Sequence, residues 1–331
     1  MKAFVHEEHK GINGIKLKEM PEPEPEQGEV KVRLKRAGLN HRDLFVPYRR
    51  EDGDPPVVLG SDGTGVIASV GEGVENWKAG DEVVINPGIG WKEKSPAPPE
   101  GFDILGVPTD GTFAEYTVVP ADNIERKPEY LSWDEAGVLP LAALTAYRVL
   151  FTRGQVKAGD TVFIPGIGSG VATYLLLFAK AAGARVIVTS RKESKLEKAR
   201  AIGADLAINS NSDWQKELEG EMIDIVIESV GAATFDRSLA ILKKGGTIVT
   251  FGASAGDEIK INIRSFFYGQ YNLLGSTMGS REEFKEMLAF IEKHKIKPVL
   301  DKVFSLEEAD KAFSYIDQAE QFGKVGINIE G

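Results

Sequence analysis

Cysteine is absent from all 331 residues, and histidine occurs only four times. The first absence excludes disulfides, thiolate nucleophiles and the usual cysteine cage of a structural zinc, and leaves imidazoles and carboxylates as the only metal donors. Positive charge is also short: 40 Lys and Arg stand against 50 Asp and Glu, a net charge of -10. Such a surface repels nucleic acid and anionic membrane, so neither is an expected partner, and a bound phosphate must be met by local basic groups and backbone amides. No run reaches the roughly 18 apolar residues of a spanning helix, and the opening MKAFVHEEHK lacks a signal-like apolar core. The expectation is a cytoplasmic protein, long enough for two domains with separate cores.

What is present changes rhythm along the chain. Up to about residue 124, short alternating segments such as EVKVRLKRAGL and TFAEYTVVP are broken by Gly, Pro and Asp turns, as in a mainly antiparallel β domain. From about 125 to 275, apolar strands (TVFIP, RVIVTS, DIVIESV, GTIVTFG) alternate with helical stretches, which predicts an α/β fold with a doubly wound parallel sheet. After 276 come two helices, the second opened by a Ser305 to Glu308 capping box, and a closing strand KVGINI. The Pro- and Gly-rich stretch 86–110 reads as an exposed loop.

One loop carries chemistry. In FIPGIGSGVA, Gly166, Gly168 and Gly170 sit with Ser169 and Val171 where a strand must turn sharply into a helix. Residues without a Cβ let the backbone approach a pyrophosphate at a helix N-terminus, where N–H groups and the dipole attract negative charge. A glycine turn alone also serves as a plain tight connection; here a following strand at βαβ spacing supplies the context of dinucleotide binding. The third glycine of the usual fingerprint comes one position early, so the loop is a variant. At the tip of the second strand an NAD site places a carboxylate for the ribose hydroxyls. VTSRKESK offers Ser190, Arg191, Lys192 and Lys195 and no acid before Glu193. That set suits the 2′-phosphate of NADP(H), paired by Arg191; the alternative is that Arg191 and Lys192 only solubilise a helix entry.

The segments AGLNHRDL (37–44), LGSDGTGVIASVGEGVENWKAGDEVV (59–84), GTFAEYTVVPADN (111–123), LPLAALTAYRVL (139–150), GIGSGVA and GKVGI (323–327) occur in an order that resembles the medium-chain dehydrogenase/reductase superfamily along nearly the whole chain. It is particularly similar to the quinone oxidoreductase-like and zinc-type alcohol dehydrogenase-like members. The resemblance implies a GroES-like, mainly β domain over 1–124, completed by 276–331, a Rossmann domain over 125–275, the nicotinamide in a cleft between them, and a homodimer formed through the Rossmann sheet edge. It also implies cofactor contacts at Thr145, Lys195, Ser229, Val230, Phe251, Gly252, Ala253 and Lys324. For Thr145, Lys195 and the strand-end positions, plain helix entry, a solvated face and ordinary strand ends are the alternatives.

Zinc members of that superfamily carry a Cys, a His-Glu pair and a third ligand where this chain has Asn40, Ser61 with Asp62, and Ala142 or Ala143. An amide, a hydroxyl and a methyl cannot form a tetrahedral zinc site, so no metal is expected. Without that Lewis acid, delivering hydride to an already electrophilic quinone, enone or related carbonyl is the more natural chemistry. The developing oxyanion needs a donor, for which Asn40, Tyr48 and Arg42 are candidates. His41 is either a proton relay at the nicotinamide ribose or a strand-end histidine bonded within its turn. The hydroxyl that related quinone reductases carry after the N..D pattern falls here on Phe45. A zinc-independent alcohol dehydrogenase and a cofactor-binding protein with little turnover are the competing readings.

Overall fold

The computed structural model describes residues 1–330. It divides into two compact units: residues 1–144 with 279 onward, and residues 145–278.

The first unit is built on a seven-stranded sheet. Its spine is Glu29–Leu39, whose alternating Val30, Val32 and Leu34 are buried. Asp62–Val70 and the C-terminal strand Lys324–Asn328 flank that spine, both antiparallel to it, and Leu300–Ser305 adds on beyond in parallel. The register of these strands decides which side chains meet: Gly38 lies opposite both Asp62 and Gly326, and Leu39 lies opposite Val325. Three segments far apart in sequence therefore end side by side at Asn40, Asp62 and Lys324. Gly38 is obligatory here, because a Cβ would stand 2.8 Å from the Gly137 carbonyl oxygen and 3.0 Å from Asp62 Oδ2.

The second unit holds an all-parallel six-stranded sheet. Its order is Leu206–Asn209, Arg185–Ser190, Thr161–Ile164, Ile223–Glu228, Leu242–Thr250, Asn272–Gly275. The chain starts in the middle, winds outward to one side, then returns to wind the other way. That is the doubly wound order read from the sequence, with the reversal beside Thr161–Ile164, where such sheets bind ligands. Strand Thr161–Ile164 is buried along its whole length because helices such as Gly170–Ala181 cover it.

Two local readings are refined by the structure. The box at Ser305 forms only in part: the Glu308 carboxylate accepts the Ser305 N–H, but the Ser305 hydroxyl caps no N–H, Leu306–Glu308 winds as a 3-10 turn, and the α-helix begins only at Ala309. The Ser305 hydroxyl bonds the Glu307 carboxylate instead of a first-turn N–H. Stretch 86–110 is largely exposed, but it is pinned by the buried Trp91, whose carbonyl accepts the Arg281 N–H (2.8 Å) at the start of helix Arg281–His294. Periodicity could not reveal that the loop caps a helix so far along the chain.

Candidate functional site

In the first unit the polar residues gather where the three strands end. Asn40 precedes the short helix His41–Phe45, and Asp43 Oδ2 accepts the Asn40 N–H at 2.8 Å. The Lys324 ammonium, 2% exposed, donates to Leu39 O (2.8 Å), Asn40 Oδ1 (2.6 Å) and Asp62 Oδ2 (2.9 Å). Asn40 Nδ2 donates in turn to Asp62 Oδ2 (2.9 Å) and Ser61 Oγ (3.3 Å). Asp62, fully buried, accepts the Leu141 N–H on Oδ1 at 2.7 Å. All three hydrogens of Lys324 and both amide hydrogens of Asn40 are thus used inside the protein.

The charges around this knot are matched by neighbours. Burial pushes the Asp43 carboxyl up to about 6, opposed by Arg42, by the Asn40 N–H and by Lys324. Arg42 lies 3.8 Å from Asp43 and donates to the Leu105 carbonyl at 3.0 Å. His41 and Tyr48, the other two candidates, are on the exposed side of the same segment. The His41 ring packs edge-on against Phe45, and surrounding protein lowers its pKa, Asp317 opposing. Tyr48 lies against Gly11, where an added Cβ would come within 2.9 Å of its ring.

These residues do not fit a zinc ion. Where the zinc members have sulfur and imidazole, the chain presents an amide, a hydroxyl and a carboxylate already paired with an ammonium, and Ala142 and Ala143 are buried methyl groups. A dication would have to sit beside the Lys324 charge. Among the described residues no three His, Cys, Asp or Glu side chains are grouped to hold a metal ion.

In the second unit, strand Thr161–Ile164 runs into the glycine loop and helix Gly170–Ala181. Gly166 (φ 75°) and Gly168 (φ 139°) adopt backbone angles that other residues rarely take. Ser169 caps the helix, its Oγ accepting the Ala172 N–H at 3.1 Å, so the first-turn N–H groups of Gly170 and Val171 face out of the helix end. The loop is tied to the next strand: Gly166 N–H donates to Thr189 Oγ1 (3.1 Å) and Ile167 N–H to Thr189 O (2.7 Å). At that strand's tip Ser190 is buried and Arg191 exposed, and the Lys195 side chain crosses the loop within 3.1 Å of where a Gly168 Cβ would lie. Glu193, the nearest acid, is ion-paired with Arg200 at 2.8 Å.

Across the reversal, the ends of Ile223–Glu228 and Leu242–Thr250 bring together Ser229, Val230, Phe251, Gly252 and Ala253. Phe251 N–H donates to Glu228 O, Ser254 N–H to Ser229 O and Ala255 N–H to Val230 O. Val230 stands 3.1 Å from the position of a Gly166 Cβ, so the two loops meet. Thr145 is buried on helix Pro140–Tyr147.

Two residues that sequence reasoning passes over matter here. Asp62 reads from the chain alone only as a failed metal ligand, and nothing in the stretch DIVIESV singles out Glu228. Burial retained across relatives, invisible in one sequence, is the signal that would mark either.

Comparisons with known proteins agree with this architecture. Residues 26–129 match the alcohol dehydrogenase GroES-like domain, and residues 170–293 match the zinc-binding dehydrogenase family. A zinc-type alcohol dehydrogenase-like protein of Schizosaccharomyces pombe is 38% identical, covering 100% of this chain and 99% of its own. The solved structure of an NAD-dependent alcohol dehydrogenase superposes with a TM-score of 0.93 at 39% identity, covering 100% of both chains. A 2-octenoyl-CoA carboxylase reductase, solved with NADP and 2-octenoyl-CoA, superposes at 0.89 with 29% identity over 99% of this chain and 87% of its own.

Proposed function

The chain belongs to the medium-chain dehydrogenase/reductase superfamily of oxidoreductases, and from that membership we propose that it is an NADPH-dependent, metal-free reductase of quinones, enones or related activated carbonyls. The observation that carries this reading is the Lys324 ammonium bonded to Asp62 and Asn40 at the zinc-matched positions. Without a Lewis acid, stabilising the alkoxide of a simple alcohol is hard, whereas an electrophile already conjugated to a carbonyl needs mainly positioning and a proton.

The nicotinamide cofactor, when bound, supplies hydride. Helix Gly170–Ala181 and the glycine loop hold its pyrophosphate, and Ser190, Arg191 and Lys195 meet the adenosine 2′-phosphate. Thr145, Ser229, Val230, Phe251, Gly252 and Ala253 line its nicotinamide half. In the first unit Asn40, with its hydrogens turned inward, holds the polar knot that carries Lys324, while the exposed His41 and Tyr48 offer the polar contacts and the proton for the developing enolate or hydroquinolate. The edge strand Asn272–Gly275, paired on one side only, lies near helix Ile263–Gly269, which exposes Ile263, Phe267 and Tyr268. A second copy covering this edge gives a homodimer.

The test is NADPH oxidation, compared with NADH, against quinones, enones and a conjugated enoyl thioester, with a chelator present. Turnover insensitive to chelation and selective for NADPH is expected; a stoichiometric, essential zinc overturns the reading. Arg191→Asp should erode the NADPH preference by about tenfold or more; unchanged relative affinities refute the phosphate site. The second reading, a zinc-independent alcohol dehydrogenase, is favoured by the alcohol dehydrogenase among the similar structures, and NADP+ reduction by simple alcohols without quinone activity would establish it.

A further inference from the structure

A fully buried carboxylate, Glu228, closes the strand Ile223–Glu228. Its Oε1 accepts from the Val230 N–H (2.9 Å), the Gly231 N–H (3.2 Å) and Thr234 Oγ1 (2.9 Å), and its Oε2 accepts from Ser238 Oγ (2.7 Å). Four donors from a loop and the first two turns of helix Ala232–Ile241 therefore converge on one side chain. A helix N-terminus is a natural anion site, and here the protein fills it with its own carboxylate. Beside the sheet reversal, the N-terminus of Gly170–Ala181 is then the one left to receive a ligand's phosphate.

The carboxylate also sets a shape. By gripping Val230 and Gly231 from inside, it holds the 229–231 loop, which is laced to 251–256 through the Ser254 and Ala255 N–H donors, with Phe251 N–H on Glu228 O and Ala232 N–H on Gly256 O (2.9 Å) closing the two ends. Gly231 (φ 88°) has no room for a side chain, since a Cβ would stand 2.3 Å from Gly256 O. On the other side Val230 abuts the glycine loop at Gly166.

We propose that Glu228 is a positioning residue for the cofactor: it moulds the paired loops 229–231 and 251–256 that seat the nicotinamide half and takes no part in holding the adenosine half. The proposal rests on the nicotinamide-nucleotide reading of this unit, and the two are separable by experiment. It acts by geometry, so the shape and reach of the side chain matter more than its charge. In Glu228→Gln the amide oxygen can accept the three Oε1 donors while its NH2 donates to the Ser238 hydroxyl. In Glu228→Asp the charge stays, but the shorter arm cannot reach both ends.

Binding of NADPH and of the fragment 2′,5′-ADP is measured by calorimetry for wild type, Glu228→Gln, Glu228→Asp and Glu228→Ala. Wild-type and Gln proteins are expected to match for both ligands. Asp and Ala should bind NADPH about tenfold or more weakly, as expected for buried donors left unpaired, with 2′,5′-ADP affinity unchanged. If Ala does not fold, the contrast of Asp with Gln carries the test, supported by KM for NADPH rising in Asp while kcat at saturation holds. Parallel loss of both ligands, or a Gln variant weaker than Asp, overturns the proposal. Wild-type protein that binds neither ligand overturns the cofactor reading instead.

Discussion

Lys324→Met probes the buried knot most directly. The variant leaves Asp62 with only the Asn40 amide and the Leu141 N–H, and strips Leu39 O and Asn40 Oδ1 of their ammonium donor. Both Lys324 and Asp62 are at most 2% exposed, so water cannot replace the lost charge. Removing one partner of such a pair costs about 3–5 kcal/mol, well above the scatter of surface substitutions. With a urea m-value of about 1–3 kcal/mol/M, the midpoint should fall by more than about 1 M. Trp77, Trp91 and Trp133 lie in the first unit and only Trp214 in the second, so tryptophan fluorescence follows mainly the unit in question. Adding Asp62→Asn removes the stranded charge while the new amide oxygen can still accept from Leu141, and should restore about 1–3 kcal/mol. A Lys324→Met protein within about 0.5 kcal/mol of wild type, or a double variant no better than the single, refutes the reasoning.

Other perturbations test separate steps. Gly168→Val forces a β-branched residue to φ 139° and drives its Cβ against Lys195, so NADPH and NADH titrations should both lose saturable binding while circular dichroism stays native. Asp43 has its carboxyl raised from 3.8 to about 6, so the folded chain keeps a proton that the unfolded chain releases, and its contribution to stability is lost as pH rises from about 4 to about 6. Asp43→Asn should remove that slope, worth at most about 3 kcal/mol, in urea midpoints measured across the window. His6 works in the opposite sense. Burial, with Arg50 beside it, lowers its pKa, and its ring bonds both Gly11 O and Arg50 Nε at 3.0 Å. Stability should therefore fall as pH drops below the ordinary value of 6.5, and His6→Gln should flatten that decline; an unchanged slope contradicts it.

Much that is local could be read from the chain alone. The turn at Gly166 and Gly168, the apolar strands around it, the doubly wound sheet and the superfamily are written in contiguous residues whose φ demands and periodicity act over a few positions. Cysteine's absence likewise bears on zinc without any structure. The capping box at Ser305 forms only in part because a hydroxyl at the right spacing does not decide which partner it takes or whether the next turn winds as 3-10 or α. What only tertiary structure decided is who meets whom. Asn40, Asp62 and Lys324 come together because sheet register sets Gly38 opposite Asp62 and Gly326, a fact with no local signature. Glu228 looks like any strand-end acid until the helix and loop behind it turn four donors inward. Burial converts such groups from solvated charges into structural ones, and burial belongs to the folded chain rather than to any short stretch of it.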